Sequence, residues 1–165
     1  MRCWRLVDER YSGSAFSGEG AALWGGRWNQ PGTPVVYISD SQALAVLEVL
    51  VHLDLDEFPA TLVMLPVDIP DDVTIDSVTV ELMIDWEKDA SVVELAEHGT
   101  AWAARGQTVA LSVPSVVIPA ERNLILNPRH GDFARLVIGP PEPFVLDPRL
   151  TRRATSRADD TPPVP

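Results

Sequence analysis

Residues 34–53 read PVVYISDSQALAVLEVLVHL. Residues 34–38, Pro-Val-Val-Tyr-Ile, are β-branched and aromatic after the proline and predict a short strand. Asp40 or Ser41 is then expected to cap the N-terminus of a helix that runs to about Leu53. Nine of the eleven residues 43–53 are apolar, which is typical of a helix buried on all sides. This strand and helix form the centre from which the other elements are placed.

Strand patterns outnumber helix patterns on either side of this centre. A Gly- and Ser-rich loop, residues 11–34, precedes it, and loops of this length in compact domains are often functional. Further strands are predicted at residues 3–7, 61–67, 73–75, 110–113, 115–118, 123–126 and 134–138, and further helices at 92–97 and 100–105. The helices do not alternate regularly with the strands, so we predict an α+β fold and not a doubly wound sheet.

Length and charge limit the organisation and the partners. The 165 residues suit one domain, placed at residues 1–150, and the polar, Pro-rich residues 151–165 predict a disordered tail. A formal charge of −11 disfavours direct binding of nucleic acid or a membrane surface. One cysteine, no bilayer-length apolar run and no signal-peptide pattern lead us to expect a cytoplasmic protein.

Glu48 is the residue of the apolar helix that most needs an explanation. A carboxylate there requires a partner or a partly solvated cavity, because burying an uncompensated charge is costly. An ion pair with a nearby arginine is one interpretation, and a place in a functional site is the other. His52, four residues further on the same face, is expected to pack or to bond a carbonyl group. No third ligand accompanies this pair, so no metal site is predicted.

Residues 25–28, Gly-Gly-Arg-Trp, form a second candidate site. Two glycines let the backbone approach a ligand closely, and the planar guanidinium of Arg27 suits a pyrophosphate or a carboxylate. A surface turn with a solvated arginine is the alternative. Trp28 is expected to stack on a ligand or to pack in the core. Tyr37, inside the strand, is by residue type a packing residue.

Taken together, six stretches resemble the RES-domain toxins of bacterial RES–Xre toxin–antitoxin pairs. They follow the family's order across the proposed domain, with one departure at Gly131, where the family usually has proline. The stretches are GGRWNQPG (25–32), VYIS (36–39), ALAVLE (43–48), Gly99 with Trp102, SVPS (112–115) and NLILNP with His130 (123–130).

This resemblance implies a single α+β domain with an ADP-ribosyltransferase-like split β-sheet core flanked by helices. It implies a toxin that degrades NAD by hydrolysis or phosphorolysis of the nicotinamide–ribose bond. NAD is then the substrate, and no true cofactor is expected. A cognate Xre-type antitoxin is the expected partner, in a hetero-oligomer with the toxin.

The resemblance also assigns the site residues. The family's Arg, Glu and Ser fall on Arg27, Glu48 and Ser115, and its active-site tyrosine falls on Tyr37. Ser115 is expected to bond either the nicotinamide amide or Glu48. The residues expected to bind NAD are Arg27, Tyr37, Trp28 and Asn123, and Asn127 and His130 are expected to shape the pocket.

The residue types suit cleavage of NAD. Breaking the nicotinamide–ribose bond develops positive charge on the ribose, which the carboxylate of Glu48 can stabilise. A mono-ADP-ribosyltransferase that modifies a protein is the main alternative. A non-catalytic NAD-binding module would not need Glu48, and the acidic charge counts against a ribonuclease.

Overall fold

The computed structural model describes residues 1–52, 61–79 and 92–150. Within these ranges the chain forms β-strands, α-helices and short 3₁₀ helices. The strands are β1 (Arg2–Asp8), β2 (Val36–Ser39), β3 (Leu62–Asp68), β4 (Ile75–Ser77), β5 (Ala110–Pro114), β6 (Arg122–Leu126), β7 (Val137–Ile138) and β8 (Glu142–Phe144). The α-helices are α1 (Glu19–Trp24), α2 (Gln42–Leu50) and α3 (Val92–Arg105), and the 3₁₀ helices cover Glu9–Ser14, Gly131–Arg135 and Pro148–Leu150. The predicted disordered tail, residues 151–165, lies outside the described residues.

The strands join one sheet in which β2 lies near the middle. Its order is β4-β5-β6-β2-β1-β3-β7, and β8 also pairs with β3. The β4–β5 pair is parallel, and the other described pairs are antiparallel. The register places Ser39 of β2 opposite Asn123 of β6. This sheet with a few helices confirms the predicted α+β class.

Helix α2 begins where the sequence predicts. Ser41 is its N-cap, and the hydroxyl oxygen accepts a hydrogen bond from the Leu44 amide at 3.1 Å, which satisfies one amide of the first turn. The helix ends at Leu50. The predicted end at Leu53 lies outside the described residues.

The prediction that this helix is buried on all sides is wrong. Val51, just beyond α2, is 57% exposed. Helix α2 packs against β1 and β2 on one side, while its other side borders an open cavity. The apolar residues therefore serve two surfaces, a core and a cavity wall. The buried residues of α2 are Leu44, Ala45 and Val46.

Residues 92–105 form one helix, α3, where two shorter helices were predicted. Gly99 lies in its middle and is buried. A Cβ atom at this position would overlap the carbonyl oxygen of Trp28. Gly99 therefore does not break the helix. It lets α3 approach the Gly-rich loop more closely than any other residue would allow.

Residues 115–118 do not form the predicted strand. The Ser115 hydroxyl oxygen accepts hydrogen bonds from the amides of Val117 at 3.1 Å and Ile118 at 3.0 Å. Such local side-chain bonds compete with strand pairing. The chain turns here, and β5 ends at Pro114.

The remaining differences lie at the sheet edges and in the Gly-rich loop. The strand predicted at 73–75 is β4, two residues later, and the strand at 134–138 shortens to β7 because Gly131–Arg135 is a 3₁₀ helix. Strand β8 was not predicted. The 11–34 loop contains α1 and the end of a 3₁₀ helix. In the part of the chain that is described, no helix is long and apolar enough to cross a membrane.

Candidate active site

A cavity of about 1250 Å³ opens between α2, the start of α3 and the Gly-rich loop. Its floor is the middle of the sheet, where β1, β2 and β6 lie side by side. The structure thus brings separate parts of the chain to one place. The predicted site residues that line the cavity are Arg27, Trp28, Tyr37, Glu48 and Asn123.

Glu48 extends from α2 to meet β6 and the turn after β5. Its Oε1 atom accepts a hydrogen bond from Ser115 Oγ at 2.7 Å and another from Asn123 Nδ2 at 2.5 Å. Among the residues that the structure describes, Oε2 accepts no hydrogen bond. One carboxylate oxygen is therefore held by two protein donors, at the wall of the cavity. The arginine ion pair offered as an alternative for Glu48 does not occur with any described arginine.

Ser115 lies behind Glu48 and not in the cavity wall. Its side chain is fully buried, at 0% exposure. The hydroxyl donates to Glu48 and accepts from the two amides of the following turn. Of the two partners expected for Ser115, the structure therefore provides Glu48. This serine can orient the carboxylate, but it does not face the space where a ligand would bind.

Tyr37 ties the Gly-rich loop to the sheet. Its hydroxyl donates to Asn29 Oδ1 at 2.8 Å and accepts from the Trp28 amide at 3.1 Å. A Cβ atom on Gly26 would lie 2.7 Å from that hydroxyl oxygen, so the second glycine of the pair is needed for this approach. Burial raises the pKa of Tyr37, although the bond from Trp28 and the charge of Arg27 lower it in part. The phenol therefore stays neutral at physiological pH.

Arg27 and Trp28 differ in how they are placed in the same loop. Arg27 is half-buried and lines the cavity, and its charge acts on the Tyr37 phenol. Trp28 is only 2% exposed and packs in a core cluster with Leu95 and Trp102. Trp28 is also one of the residues that line the cavity. Of the two roles expected for Trp28, the structure shows packing in the core. Contact of Trp28 with NAD stays a prediction.

Arg5 of β1 is a cavity residue that the sequence analysis did not consider. Its Nη1 donates to the Tyr37 carbonyl oxygen at 2.5 Å, and its Nε is buried without a hydrogen-bond partner. Burial lowers the pKa of Arg5 to about 10, so the guanidinium is still charged at pH 7. No carboxylate in the described ranges forms an ion pair with it. The sequence contains one signal for Arg5, because a charged residue stands between the apolar residues Trp4 and Leu6 in a strand with buried positions.

The other predicted polar residues have different surroundings. His52 is exposed and lines the cavity one turn beyond Glu48. His130 caps a 3₁₀ helix, where its Nδ1 accepts from the Asp132 amide at 3.1 Å. Asn127 Nδ2 donates to the Ala103 carbonyl oxygen at 2.9 Å. Asn127 and His130 therefore stabilise the loop after β6, and neither is among the cavity-lining residues.

The cavity thus has two chemically different walls. We call Glu48 and Asn123, with Ser115 buried behind them, the carboxylate wall, and we call Arg5, Arg27 and Tyr37 the cation wall. A carboxylate with one unoccupied oxygen can face positive charge. Guanidinium groups suit phosphate groups. The arrangement fits a ligand that carries phosphates at one position and develops positive charge at another.

Comparison with known proteins identifies the family. The model of the RES domain family matches residues 2–147, which is most of the chain. A toxin Res from Photorhabdus laumondii is 41% identical over 138 residues, which cover 83% of this chain and 88% of that protein. The chain therefore belongs to the RES domain family, and it is a toxin of that family.

Two further similarities add to this result. A protein from Sphingobium sp. named Prs ADP-ribosylating toxin is 33% identical over 156 residues, covering 92% of this chain and 97% of that protein. The crystal structure of the M. tuberculosis MbcT–MbcA toxin–antitoxin complex contains a chain of similar fold, with a TM-score of 0.69. That match has 21% sequence identity and covers 91% of this chain and 86% of the other, so it supports the fold alone.

Proposed function

We propose that this toxin depletes NAD by cleaving the bond between nicotinamide and ribose. The observation that carries the proposal is the carboxylate of Glu48, fixed through one oxygen at the wall of a large cavity. Arg5 and Arg27, which line the same cavity, supply the positive charge that a dinucleotide with two phosphates needs. Such a toxin acts where NAD is found, and we place it in the cytoplasm.

Glu48 would stabilise the charge that develops during cleavage. The bonding electrons leave with nicotinamide, which departs as a neutral molecule and needs no strong acid. Positive charge grows on the ribose, and Oε2 of Glu48 is the oxygen left to face it. Because Oε1 is already held by Ser115 and Asn123, little reorganisation is required when the charge appears.

Arg5 and Arg27 would bind the pyrophosphate. Both line the cavity, and Arg5 lacks a counter-charge among the described residues. Guanidinium groups form strong, directional hydrogen bonds with phosphate oxygens. Tyr37 would present its ring to nicotinamide or ribose, since its hydroxyl is occupied by Asn29 and Trp28. Trp28 and Asn123 would complete the binding surface.

The acceptor of ADP-ribose distinguishes two forms of this reaction. Attack by water at the ribose carbon gives ADP-ribose, nicotinamide and a proton. Attack by inorganic phosphate gives ADP-ribose 1″-phosphate and nicotinamide. The test is to incubate the purified chain with NAD, with and without phosphate, and to identify the products by mass spectrometry. Release of nicotinamide is expected, and intact NAD with a folded chain would contradict the proposal.

Transfer of ADP-ribose to a protein is the second candidate. One observation favours it: the Sphingobium relative is named Prs ADP-ribosylating toxin. The same pair of walls would serve this reaction, with a protein side chain in place of water. Incubation with labelled NAD and a cell lysate separates the two. Label on a protein band supports transfer, whereas label only in small molecules supports NAD degradation.

We also propose a cognate antitoxin of the Xre type as the partner of this toxin. A related fold occurs in the MbcT–MbcA toxin–antitoxin complex, and the charge of −11 favours a partner with a basic surface. The antitoxin would cover the cavity mouth, where Trp24 is 85% exposed. Residues 18–32 should then be protected from hydrogen exchange in the complex, and NAD binding should be lost. Residues 151–165 should stay accessible, since the family match ends at residue 147.

Comparing NAD titrations of the free toxin and the purified complex tests this occlusion. The free toxin should bind NAD, and the complex should not. Equal affinity in both would mean that the antitoxin inhibits from a remote surface. A complex that dissociates during the titration would be recognised by gel filtration of the same sample.

A further inference from the structure

Ser39 is a buried polar residue at the base of the cavity. It has no part in the proposed reaction as described above. It is the last residue of β2 and is 4% exposed. In the sheet it lies directly opposite Asn123 of β6. Its hydroxyl donates a hydrogen bond to Asn123 Oδ1 at 2.7 Å.

Asn123 connects Ser39 to Glu48. The oxygen of its amide accepts from Ser39, and the nitrogen donates to Glu48 Oε1 at 2.5 Å. If the Asn123 side-chain amide were rotated by 180°, its oxygen would face the carboxylate of Glu48. Both atoms are hydrogen-bond acceptors, so they would repel each other. The hydroxyl of Ser39 satisfies the amide oxygen in the orientation that Glu48 requires.

We propose that Ser39 is a positioning residue that orients Glu48 through Asn123. The hydrogen bonds run in one direction, from the Ser39 hydroxyl to the Asn123 amide and from that amide to the carboxylate. Ser115 donates a second hydrogen bond to the same carboxylate oxygen. With Oε1 held by two donors, the rotation of the carboxylate is restricted and Oε2 keeps one position. The kinetic consequence of this role rests on the proposed cleavage of NAD.

Removing the hydroxyl would weaken the arrangement that holds Glu48. In Ser39→Ala the Oδ1 atom of Asn123 loses its donor, and a buried acceptor without a partner is costly. Asn123 would then turn its oxygen toward water in the cavity, which it lines. That rotation takes the amide nitrogen away from Glu48. The carboxylate would retain Ser115 alone and would occupy its working orientation for less of the time.

Steady-state kinetics of Ser39→Ala provide the first test. We expect kcat to fall about tenfold, the order associated with one lost hydrogen bond to a charged group, while KM for NAD changes less than threefold. Ser112→Ala is the matched control. Ser112 is also a strand serine with one side-chain bond, from Arg122 Nε at 2.7 Å, and it lies outside the cavity-lining residues. Its kcat should stay within twofold of the wild type.

The double variant separates positioning from a general loss of structure. If Ser39 acts through Asn123, then adding Ser39→Ala to Asn123→Ala should lower kcat by less than twofold. A merely structural serine would lower kcat in both backgrounds. Unchanged kcat in Ser39→Ala, or a full further loss in the double variant, would overturn the proposal.

Nuclear magnetic resonance of the Asn123 side-chain amide gives a readout that does not depend on turnover. The proton bonded to the carboxylate should resonate downfield, and it should move upfield in Ser39→Ala and in Glu48→Gln alike. If the wild type does not cleave NAD but this coupling is observed, the proposed function fails and the positioning of Glu48 by Ser39 stands. If the wild type cleaves NAD and the Asn123 signal does not respond to Ser39→Ala, the positioning role fails alone.

Discussion

The two walls of the cavity hold their charges by different means. On the carboxylate wall, Glu48 receives two short hydrogen bonds from buried or half-buried side chains. On the cation wall, Arg5 has one bond to a carbonyl oxygen and no ion pair within the described ranges. The carboxylate of Glu48 is oriented by protein donors alone, whereas the guanidinium of Arg5 has no carboxylate partner among the residues that the structure describes. Changes on the carboxylate wall should therefore act on turnover, and changes on the cation wall should act on affinity.

The largest effect is expected from Glu48→Gln. The amide keeps the size of the side chain and can still accept from Ser115, but the negative charge is lost. Loss of one preorganised stabilising group typically costs about 10²–10³ in rate, so we expect kcat for NAD cleavage to fall by that factor with little change in KM. Circular dichroism should show an unaltered fold. Near-normal turnover by the folded variant would remove Glu48 from the mechanism.

Arg5→Met should separate binding from stability. Arg5 is a buried cation with no ion pair to a carboxylate in the described ranges, and such a charge destabilises the free protein. Its replacement is therefore expected to raise the urea midpoint or leave it unchanged. NAD should bind about tenfold more weakly, because a charge-assisted contact with phosphate contributes roughly 1.5–3 kcal/mol. Arg2→Met is the matched control. Arg2 lies on the same strand and forms a surface ion pair with Asp68, and its loss should leave NAD affinity unchanged. A destabilised Arg5→Met that binds NAD normally would make Arg5 a structural residue.

Arg27→Lys tests geometry with the charge retained. A lysine cannot reproduce the two-pronged contact of a guanidinium group with phosphate. We expect NAD affinity to fall about fivefold, which is less than for complete loss of a charged contact, and kcat to fall less than affinity. Isothermal titration in a Glu48→Gln background measures binding without turnover. Wild-type affinity in this variant would show that Arg27 does not contact the pyrophosphate.

Tyr37→Phe should have the smallest effect on NAD and a clear effect on the loop. Without the hydroxyl, the Trp28 amide and Asn29 Oδ1 both lose a partner, which is expected to lower the free energy of unfolding by about 1–3 kcal/mol. The ring is kept, so NAD affinity should fall only two- to threefold. Urea unfolding and NAD titration of the same sample measure both quantities. A large loss of turnover with unchanged stability would show that the hydroxyl acts on the substrate and not on the loop.

The central strands could be predicted because their patterns are local. The β-branched residues predicted β2, β3, β5 and β6 to within a residue or two of the observed bounds. Ser41, the observed N-cap of α2, was one of the two predicted caps. The elements that failed depend on contacts between distant residues. Gly99 suggests a helix break until the backbone of Trp28 is seen beside it. Ser115 suggests a strand until its hydroxyl is seen to bond two amides of its own turn.

The sequence also pointed to several of the residues that meet at the cavity, whose roles in a reaction stay predictions. Glu48 stands out as a carboxylate in an apolar helix, and the family resemblance placed Arg27, Tyr37 and Ser115. Strand alternation shows which face a residue occupies, but it does not show what crosses from the neighbouring strand. Arg5 and Ser39 were missed for that reason, since each depends on a partner more than thirty residues away in sequence.

The fixed carboxylate also has a consequence for how a cell must handle this protein. Glu48 reaches its orientation through residues of the folded chain itself, so no proteolytic cut, phosphate group or second subunit is needed to assemble it. Under the proposed reaction, each chain would be active as soon as it folds. The cell would then be protected only while the amount of antitoxin is at least equal to the amount of toxin. If the toxin cleaves NAD as proposed, an interruption in antitoxin supply would set the time at which the cellular amount of NAD begins to fall.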